Sequence, residues 1–395
     1  MEKANYILFC LFSVKNLYIL WEHSVSDFGC TKEVDRSLDM SWEEFPGYDV
    51  GELQRIVLEM VRSLHERPNV KHVDVDELRK MAEPHGTRTK YGNYVFTTCV
   101  RNRSAALTVY IGGPDVMRPR DMTEKQKDIV MNAPQTVEKL HRYLEKVPIV
   151  CTQRVMCDSD DLSFLCTLYL TVHRKDCVRL GYMWSLLLFG LDKKRPNNQE
   201  MYLVHVPEWL EKDRQILVFP EIGVTYVLGS DYLGETKKGF LRMAMWFAKQ
   251  KGILGLHAGA KVIRARDRRG VVKRYSMLLF GLSGTGKTTH TCHDHGLTQG
   301  GEGIEIVQDD VIFLRMDGAG FGPENGFFLK TDIDPSLQPL IWKAAIKPTS
   351  VLENVLVDYQ GNCHFLDETL TGNGRGVFLR ESIDPEHLHP SVNLP

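Results

Sequence analysis

The sequence lacks a large excess of charge of either sign. Its 49 lysines and arginines nearly balance 51 aspartates and glutamates, which gives a formal net charge of −2. This balance argues against an electrostatic field that would draw the whole protein onto nucleic acid or an anionic membrane. We therefore expect neither a nucleic-acid partner nor a membrane partner, and any anionic ligand must be bound by a local arrangement of residues.

The sequence also lacks an uninterrupted apolar run long enough to span a bilayer. Its most apolar stretch, residues 5–21, is broken by Lys15 and Asn16, and the small-residue cleavage step of a secretory signal does not follow it. The nine cysteines are odd in number and have no close pairs, which is typical of reduced thiols. We expect a cytoplasmic protein in which residues 1–39 are an extension outside the fold.

Repeats at a fixed period and low-complexity tracts are absent, which argues against solenoids and linker-joined arrays. At 395 residues and 43% apolar content, the chain can form two domains with separate cores. Apolar spacing predicts helices over 52–65 and 239–249. Strand-like segments lie between them, at 93–100, 107–111, 163–172, 201–206 and 215–219. This mixture predicts an α/β fold with an N-terminal domain over 40–252 and a second domain over 253–395.

A phosphate-binding loop follows the apolar segment 277–280 and precedes a segment able to start a helix. It matches G-x-x-x-x-G-K-[ST], and its context is the one that this motif requires. Backbone N–H groups of such a loop turn toward nucleotide phosphates, Lys287 adds a positive charge, and the Thr288 hydroxyl can ligate Mg²⁺. The loop residues that we expect to bind nucleotide are Gly281, Leu282, Ser283, Gly284, Thr285, Gly286, Lys287 and Thr288.

Two adjacent carboxylates, Asp309 and Asp310, end the next strand-like segment, residues 303–310. Such a pair is often a solvated turn. Beside a phosphate-binding loop, however, the end of a strand can supply a hard oxygen ligand to a cation.

A histidine-rich segment behind the loop contains residue types that bind zinc: His290, Cys292, His293 and His295. A closed structural zinc site needs four convergent ligands, and no second ligand pair with zinc-site spacing follows. We therefore expect these side chains to decorate the helix behind the loop.

Three ordered motifs carry a resemblance to a known family. The string Phe280-Gly-Leu-Ser-Gly-Thr-Gly-Lys-Thr-Thr289 resembles the nucleotide-binding loop of ATP-type phosphoenolpyruvate carboxykinase. A second signature is Tyr232-Leu-Gly-Glu-Thr-Lys-Lys-Gly239, and a third is Gly255-Leu-His-Ala-Gly-Ala260. The resemblance covers roughly residues 45–395. It implies an N-terminal α/β domain followed by a P-loop-containing mononucleotide-binding α/β domain, with the active site between them.

The resemblance implies a reaction in which oxaloacetate and ATP give phosphoenolpyruvate, CO₂ and ADP, as in gluconeogenesis. It implies a Mn²⁺ ion bound by Lys238, His257 and Asp310, and a Mg²⁺ ion that accompanies ATP at Thr288. Lys238 must be neutral to coordinate, and a neighbouring cation such as Lys237 would depress its pKa.

Further roles follow from the resemblance. It implies that Arg103, in the position of the family's Gly-Arg-Ser loop, binds a substrate carboxylate, and that Tyr232 faces the substrate or the CO₂ pocket. It implies that Lys237 and Lys238 act in catalysis and that Arg375 lies between the substrate and the γ-phosphate. The remaining residues that we expect at the nucleotide are Thr289, Lys330 and Gln338, the last of which replaces a glutamate of many relatives.

A second departure is the ending at Pro395, because relatives continue into a segment that contacts adenine. From this we expect an incomplete second domain, weak ATP binding and little phosphoenolpyruvate formation. Two alternatives stay open: a non-catalytic remnant that binds nucleotide phosphate and metal, or a P-loop kinase for another small molecule. We expect a monomer or a small homo-oligomer.

Overall fold

A computed structural model describes residues 7–13, 16–19, 45–100, 105–196, 198–210, 214–281 and 286–394. The described helices are α1 Val50–Ser63, α2 Val75–Ala82, α3 Glu124–Met131, α4 Ala133–Leu144, α5 Val178–Leu187, α6 Leu233–Gln250, α7 Lys287–Cys292 and α8 Pro339–Ala345. Short 3₁₀ turns lie at Leu64–Glu66, Glu83–His85, Ala105–Leu107, Pro119–Asp121, Lys175–Cys177, Leu191–Lys193, Pro220–Ile222, Arg380–Ser382 and Pro385–His387.

The described strands alternate with these helices along the chain, as the sequence predicts for an α/β protein. They are β1 Ile7–Ser13, β2 Asn16–Ile19, β3 Val70–His72, β4 Thr87–Arg88, β5 Tyr94–Phe96, β6 Thr108–Tyr110, β7 Ile149–Met156, β8 Phe164–Thr171, β9 Gln199–Val206, β10 Gln215–Phe219, β11 Val224–Leu228, β12 Leu254–Leu256, β13 Ala258–Arg266, β14 Val272–Phe280, β15 Gly303–Gln308, β16 Ile312–Leu314, β17 Gly320–Phe321, β18 Gly326–Lys330, β19 Val351–Glu353, β20 Leu356–Val357, β21 Cys363–His364 and β22 Arg375–Leu379.

A seven-stranded mixed sheet organises the first half of the chain, in the order β3-β7-β8-β9-β11-β10-β6. Its two faces bury different apolar clusters. Residues of α2, α5 and α6 pack on one face, where Trp184 stacks on Phe240 with ring centroids 4.9 Å apart. Residues of α1, α3 and α4 pack on the other face. Because both faces are covered, β8 is buried along its whole length, which explains its continuous apolar run.

Helix α1 shows how the sequence specifies these layers. The Asp49 side chain accepts a hydrogen bond from the Glu52 N–H at 3.0 Å and caps the helix start. Leu53, Val57 and Val61 recur every four residues and are all buried. The predicted helix over 52–65 therefore corresponds to α1 and the following 3₁₀ turn.

The second half of the chain forms smaller sheets. Strands β15-β13-β14-β1-β2 form one sheet, β12-β16-β17 a second, and β18-β22-β19-β5-β4 a third. The phosphate-binding loop connects β14 to α7, and Asp309 and Asp310 follow β15. Strands β14 and β15 flank β13 and are both antiparallel to it, so the start of the loop and the carboxylates lie at the same end of one sheet.

Three sequence-based expectations need correction. The helix predicted over 239–249 begins earlier, at Leu233, because the polar residues after Tyr232 form its first turns. The strand predicted over 93–100 ends at Phe96, because the next residues bind a side chain rather than a neighbouring strand. We expected the first 39 residues to lie outside the fold, but strands β1 and β2 lie within them. Strand β1 pairs in parallel with β14, on the side of β14 opposite β13.

The predicted boundary near residue 252 stays a prediction. Strand β5 pairs in parallel with β19, so residues from before this boundary contribute to a sheet that is otherwise formed after it.

Replacing Gly326 with alanine tests the packing of β18 against α5. A Cβ there would lie 2.7 Å from the Leu186 carbonyl oxygen and 3.1 Å from the Leu187 Cα, and backbone atoms cannot rotate away. We expect Gly326→Ala to lower the free energy of unfolding by about 1–3 kcal/mol, as measured by urea denaturation. The matched control is Gly300→Ala, whose Cβ meets no atom within 4 Å and whose effect should stay within about 0.5 kcal/mol. Equal stability of the two variants would contradict this packing.

Candidate active site

The Asp310 carboxylate lies at the centre of a cluster of basic side chains. Its Oδ2 atom is 2.6 Å from the Lys238 Nζ, and its Oδ1 atom is 2.8 Å from the His257 Nε2. Lys238 lies in the second turn of α6, His257 joins β12 to β13, and Asp310 follows β15. Three separate elements thus bring together the three residues for which the resemblance implies a metal.

Lys237 approaches the same carboxylate from the protein interior. Its Nζ lies 3.0 Å from the Asp310 Oδ2 and 2.8 Å from the Glu324 Oε2, and both Lys237 and Glu324 have only 1% of their side chains exposed. Burial lowers the pKa of Lys237, but Asp310 and Glu324 outweigh burial, so the pKa lies above its ordinary value. Lys237 is therefore a fixed positive charge.

Lys238 differs from Lys237 in its electrostatics. Burial lowers its pKa, and Lys237 adds to this effect, while Asp310 opposes it; the net pKa lies below the ordinary value for lysine. Asp310 keeps its charge. Burial would raise its pKa, but nearby groups hold the pKa well below the usual range. These groups are the charges of Lys237, Lys238 and Lys287 and the hydrogen bond from His257. Burial raises the pKa of the adjacent Asp309 to about 7, although Lys237 opposes this shift.

These donors fit a divalent transition metal. Asp310 offers an ionised carboxylate oxygen, His257 an imidazole nitrogen, and Lys238 an amine whose lowered pKa makes loss of its proton to a metal easier. Mn²⁺ favours the carboxylate oxygen of this set and can accept the two nitrogen ligands beside it.

The described part of the phosphate-binding loop lies beside this cluster. Gly286 adopts a left-handed conformation with φ of +81°, which glycine allows, and α7 begins at the next residue. The Lys287 Nζ lies 3.4 Å from both the carbonyl oxygen and the Oδ1 atom of Asp310. Thr288 lies in the first turn of α7. The predicted nucleotide residues Leu282, Ser283, Gly284 and Thr285, and the predicted substrate residue Arg103, lie outside the described residues.

A buried lysine from β13 supports α7 from behind. The Lys261 Nζ donates to the carbonyl oxygens of His290 and His293 and lies 2.7 Å from the His295 Nε2. These carbonyl groups belong to the C-terminal end of α7, where a cation is favourable. An ammonium group among the histidines opposes a second cation there. Helix α7 ends at Cys292, so His293 and His295 follow the helix that we expected them to decorate.

Gln338 contacts the helix that follows the loop. Its Nε2 donates to the Thr289 Oγ1 at 3.1 Å, and it immediately precedes α8. Both residues line a cavity of about 180 Å³, with Cys292, His293 and Leu337 among its other lining residues.

Arg375 and Lys330 occupy paired positions on neighbouring strands, β22 and β18. The Arg375 guanidinium lies over the Phe328 ring, 5.8 Å from its centroid, and the Lys237 Nζ lies 5.5 Å from the same centroid. The Lys330 ammonium instead lies 3.9 Å from Asp332. Arg375 thus shares an aromatic neighbour with the Asp310 cluster, whereas Lys330 is paired with a residue outside it.

A buried network next to Tyr232 escaped the sequence analysis. Asp231 accepts hydrogen bonds from the N–H groups of Cys99 and Val100 at 3.0 and 2.8 Å. The buried Arg179 donates to the Asp231 carbonyl oxygen and lies 3.5 Å from Glu353. Tyr232 itself is buried at the start of α6, where its ring lies against Gly234. Asp231 therefore fixes the segment that leads to Arg103.

A family model of phosphoenolpyruvate carboxykinase matches residues 68–393. The chain belongs to the phosphoenolpyruvate carboxykinase family. Every candidate site residue of this family member, from Arg103 to Arg375, lies inside the match.

Curated relatives of this phosphoenolpyruvate carboxykinase family member carry the name phosphoenolpyruvate carboxykinase (ATP). The protein of Aeropyrum pernix is 42% identical over 185 residues, which are 47% of this chain and 37% of the relative. The Zea mays protein is 33% identical over 40% of this chain and 21% of its own length. The Lysinibacillus sphaericus protein is 33% identical over 45% of this chain and 30% of its own length. The matched segments thus span less than two fifths of these relatives.

Among the described residues, no helix is both long and apolar enough to cross a bilayer.

The metal assignment predicts that His257→Ala weakens Mn²⁺ binding by at least about 10-fold, because one ligand nitrogen is lost. Titration followed by electron paramagnetic resonance of free Mn²⁺ measures the affinity. Since 60% of the His257 side chain is exposed, the variant should fold normally. The control is His293→Ala in the histidine-rich segment, which should bind Mn²⁺ like the parent protein. If His293→Ala were the sensitive variant, the assignment would be wrong.

The position of Lys287 predicts that Lys287→Ala abolishes stabilisation by Mg-ATP, because the phosphates lose a positive charge at the start of α7. Differential scanning fluorimetry with and without Mg-ATP measures this stabilisation. Lys343→Ala, on the exposed side of α8, is the control and should keep the full shift in melting temperature. An unchanged shift in Lys287→Ala would contradict a nucleotide site at this loop.

Proposed function

We propose that this chain catalyses the ATP-dependent conversion of oxaloacetate to phosphoenolpyruvate, CO₂ and ADP. One observation carries the proposal: Asp310 contacts Lys238 and His257 on one side and Lys287 of the phosphate-binding loop on the other. The residues proposed to bind metal and the lysine proposed to bind phosphate thus contact one carboxylate. A kinase for an unrelated small molecule would need the loop but not the Lys238 and His257 contacts.

Decarboxylation breaks a C–C bond of oxaloacetate, releases CO₂ and leaves the electron pair on an enolate oxygen. That oxygen then forms a bond to the γ-phosphorus of ATP as the bond to ADP breaks. Negative charge therefore develops between the substrate and the phosphate, and fixed positive groups stabilise it.

We assign these positive groups to residues of this chain. Lys237, held by Glu324, supplies a permanent charge beside Asp310. Lys287 supplies a charge at the β- and γ-phosphates, and Thr288 would hold the Mg²⁺ of the nucleotide. Lys238, His257 and Asp310 would hold Mn²⁺, which supplies Lewis acidity when bound.

The remaining residues orient the substrate and the nucleotide. In the proposal Arg103 binds a substrate carboxylate through both of its terminal nitrogens, and Asp231 positions the segment before it. Tyr232 lines the substrate site, and Arg375, over Phe328, faces the bond that forms. Gln338 and Thr289 lie at the nucleotide, and Lys330 reaches a phosphate.

Three further predictions concern the protein as a whole. They are production of phosphoenolpyruvate for gluconeogenesis, a cytoplasmic location and a monomeric or small homo-oligomeric state.

The decisive assay follows oxaloacetate loss and phosphoenolpyruvate formation in parallel, with Mn²⁺ and Mg-ATP present. We expect the parent protein to form phosphoenolpyruvate more slowly than it consumes oxaloacetate, in line with the weak ATP binding expected from the sequence. Lys287→Ala should lower phosphoenolpyruvate formation by about 10²-fold or more, because a charge that stabilises the transferring phosphoryl group is lost. Lys343→Ala should be unchanged. Oxaloacetate loss without phosphoenolpyruvate in the parent protein would contradict phosphoryl transfer, and absence of both reactions alongside Mn²⁺ and ATP binding would favour a non-catalytic remnant.

A further inference from the structure

Two histidines and one cysteine meet at the edge of the seven-stranded sheet, on elements that contribute nothing to the Asp310 cluster. His65 lies in the 3₁₀ turn after α1, and His72 is the last residue of β3. Cys151 lies in β7, opposite His72 in the parallel register. One potential ligand atom from each of the three residues lies within 4.8 Å of the other two.

The backbone between the two histidines is firmly held. Buried Leu64 and Val70 anchor its two ends in the core beneath α1. The Arg67 N–H donates to the Leu64 carbonyl oxygen at 3.1 Å, and the Val70 N–H donates to the Arg67 carbonyl oxygen at 3.0 Å. The carbonyl oxygen of Asn69 accepts from the Ile149 N–H at 3.0 Å, which joins this turn to β7. The two histidines are therefore brought together before any ligand binds.

The His72 ring is also oriented by the backbone. Its Nε2 lies 3.0 Å from the His65 carbonyl oxygen, and a carbonyl oxygen only accepts a hydrogen bond. The neutral ring therefore carries its proton on Nε2 and an electron pair on Nδ1. A hydrogen bond from one ring nitrogen to a backbone carbonyl, with the other nitrogen available, is the usual arrangement of a metal-binding histidine. The His65 ring packs edge-on against it, with centroids 4.3 Å apart.

The two kinds of ligand have different access to solvent. Both histidines are exposed, while Cys151 is 1% exposed and lies in the core with Tyr169. An ion can thus enter from the histidine side and reach the sulfur last. In a tetrahedral zinc site, bond lengths of 2.0–2.3 Å place neighbouring ligand atoms about 3.3–3.8 Å apart. Rotation of the exposed His65 side chain can close the remaining distance, since rotamers of exposed side chains interchange readily.

We propose that His65, His72 and Cys151 bind a Zn²⁺ ion, with water as the fourth ligand. Two imidazoles and one thiolate suit zinc, whereas Mg²⁺ and Mn²⁺ prefer oxygen ligands. Binding transfers the thiol proton of Cys151 to solvent, because a coordinating thiol is deprotonated by the metal. The ion would connect the end of α1 to two strands of the sheet, and so would act as a structural clip.

Co²⁺ alone is the probe, because a cobalt–thiolate bond gives a sulfur-to-metal charge-transfer band in the near ultraviolet. Oxygen and nitrogen ligands give no such band, so Co²⁺ at Lys238, His257 and Asp310 is silent. We expect the parent protein to show the band on titration with Co²⁺ and to lose it when Zn²⁺ is added. The double variant His65→Asn/His72→Asn should weaken Co²⁺ binding, followed by this band, by at least about 10-fold.

Two controls separate this site from other histidines and thiols. His85→Asn changes another exposed histidine and should keep the band unchanged. His293→Asn should also keep it, which excludes Cys292 as the source of the sulfur signal. Because His65 and His72 are exposed, the double variant should keep the metal-free melting temperature of the parent protein. No charge-transfer band in the parent, or an undiminished band in a folded double variant, would overturn the proposal.

Discussion

The candidate site depends on one ionised carboxylate. Lys237, Lys238, His257 and Lys287 all place a nitrogen atom within 3.4 Å of an Asp310 side-chain oxygen. The positive charges of Lys237 and Lys287 would repel each other without an anion between them, and the Asp310 carboxylate offsets that repulsion. The arrangement in turn keeps the pKa of Asp310 well below its usual range despite burial. The ionised state of Asp310 and the positions of the side chains around it therefore depend on each other.

Three buried ion pairs extend this dependence into the core. Glu324 holds Lys237, while Arg179 joins Asp231 and Glu353. Removing one partner of a buried pair typically costs about 3–5 kcal/mol, because the other charge is left without compensation. Such pairs add little net stability over apolar packing, but they allow few alternative arrangements. They therefore favour a single position for the start of α6, which contributes Lys238.

The sequence predicted the parts of the site that are contiguous in the chain. The phosphate-binding loop and the Asp309–Asp310 pair were recognisable because each is a short motif next to an apolar strand. The support from Glu324, Asp231 and Arg179 was not, because their partners are distant in sequence: Asp231 binds residues more than 130 positions earlier. Single charged residues give no hydrophobic periodicity in the sequence. Their side chains are buried by residues distant in the chain, so no local sequence pattern predicts their burial. The early start of α6 was missed for a related reason, since its polar first turns are stabilised by packing rather than by propensity.

The pairing of β5 with β19 has a consequence for how the protein is made. The two strands are about 250 residues apart. At a synthesis rate of roughly 5–20 residues per second, β5 would wait roughly ten to fifty seconds on the ribosome for its partner. During this interval the seven-stranded sheet has nearly all of its strands available, while β5 and the segment that leads to Arg103 have an unpaired edge. The sheet that contains β5 is thus completed last, after the phosphate-binding loop has been synthesised.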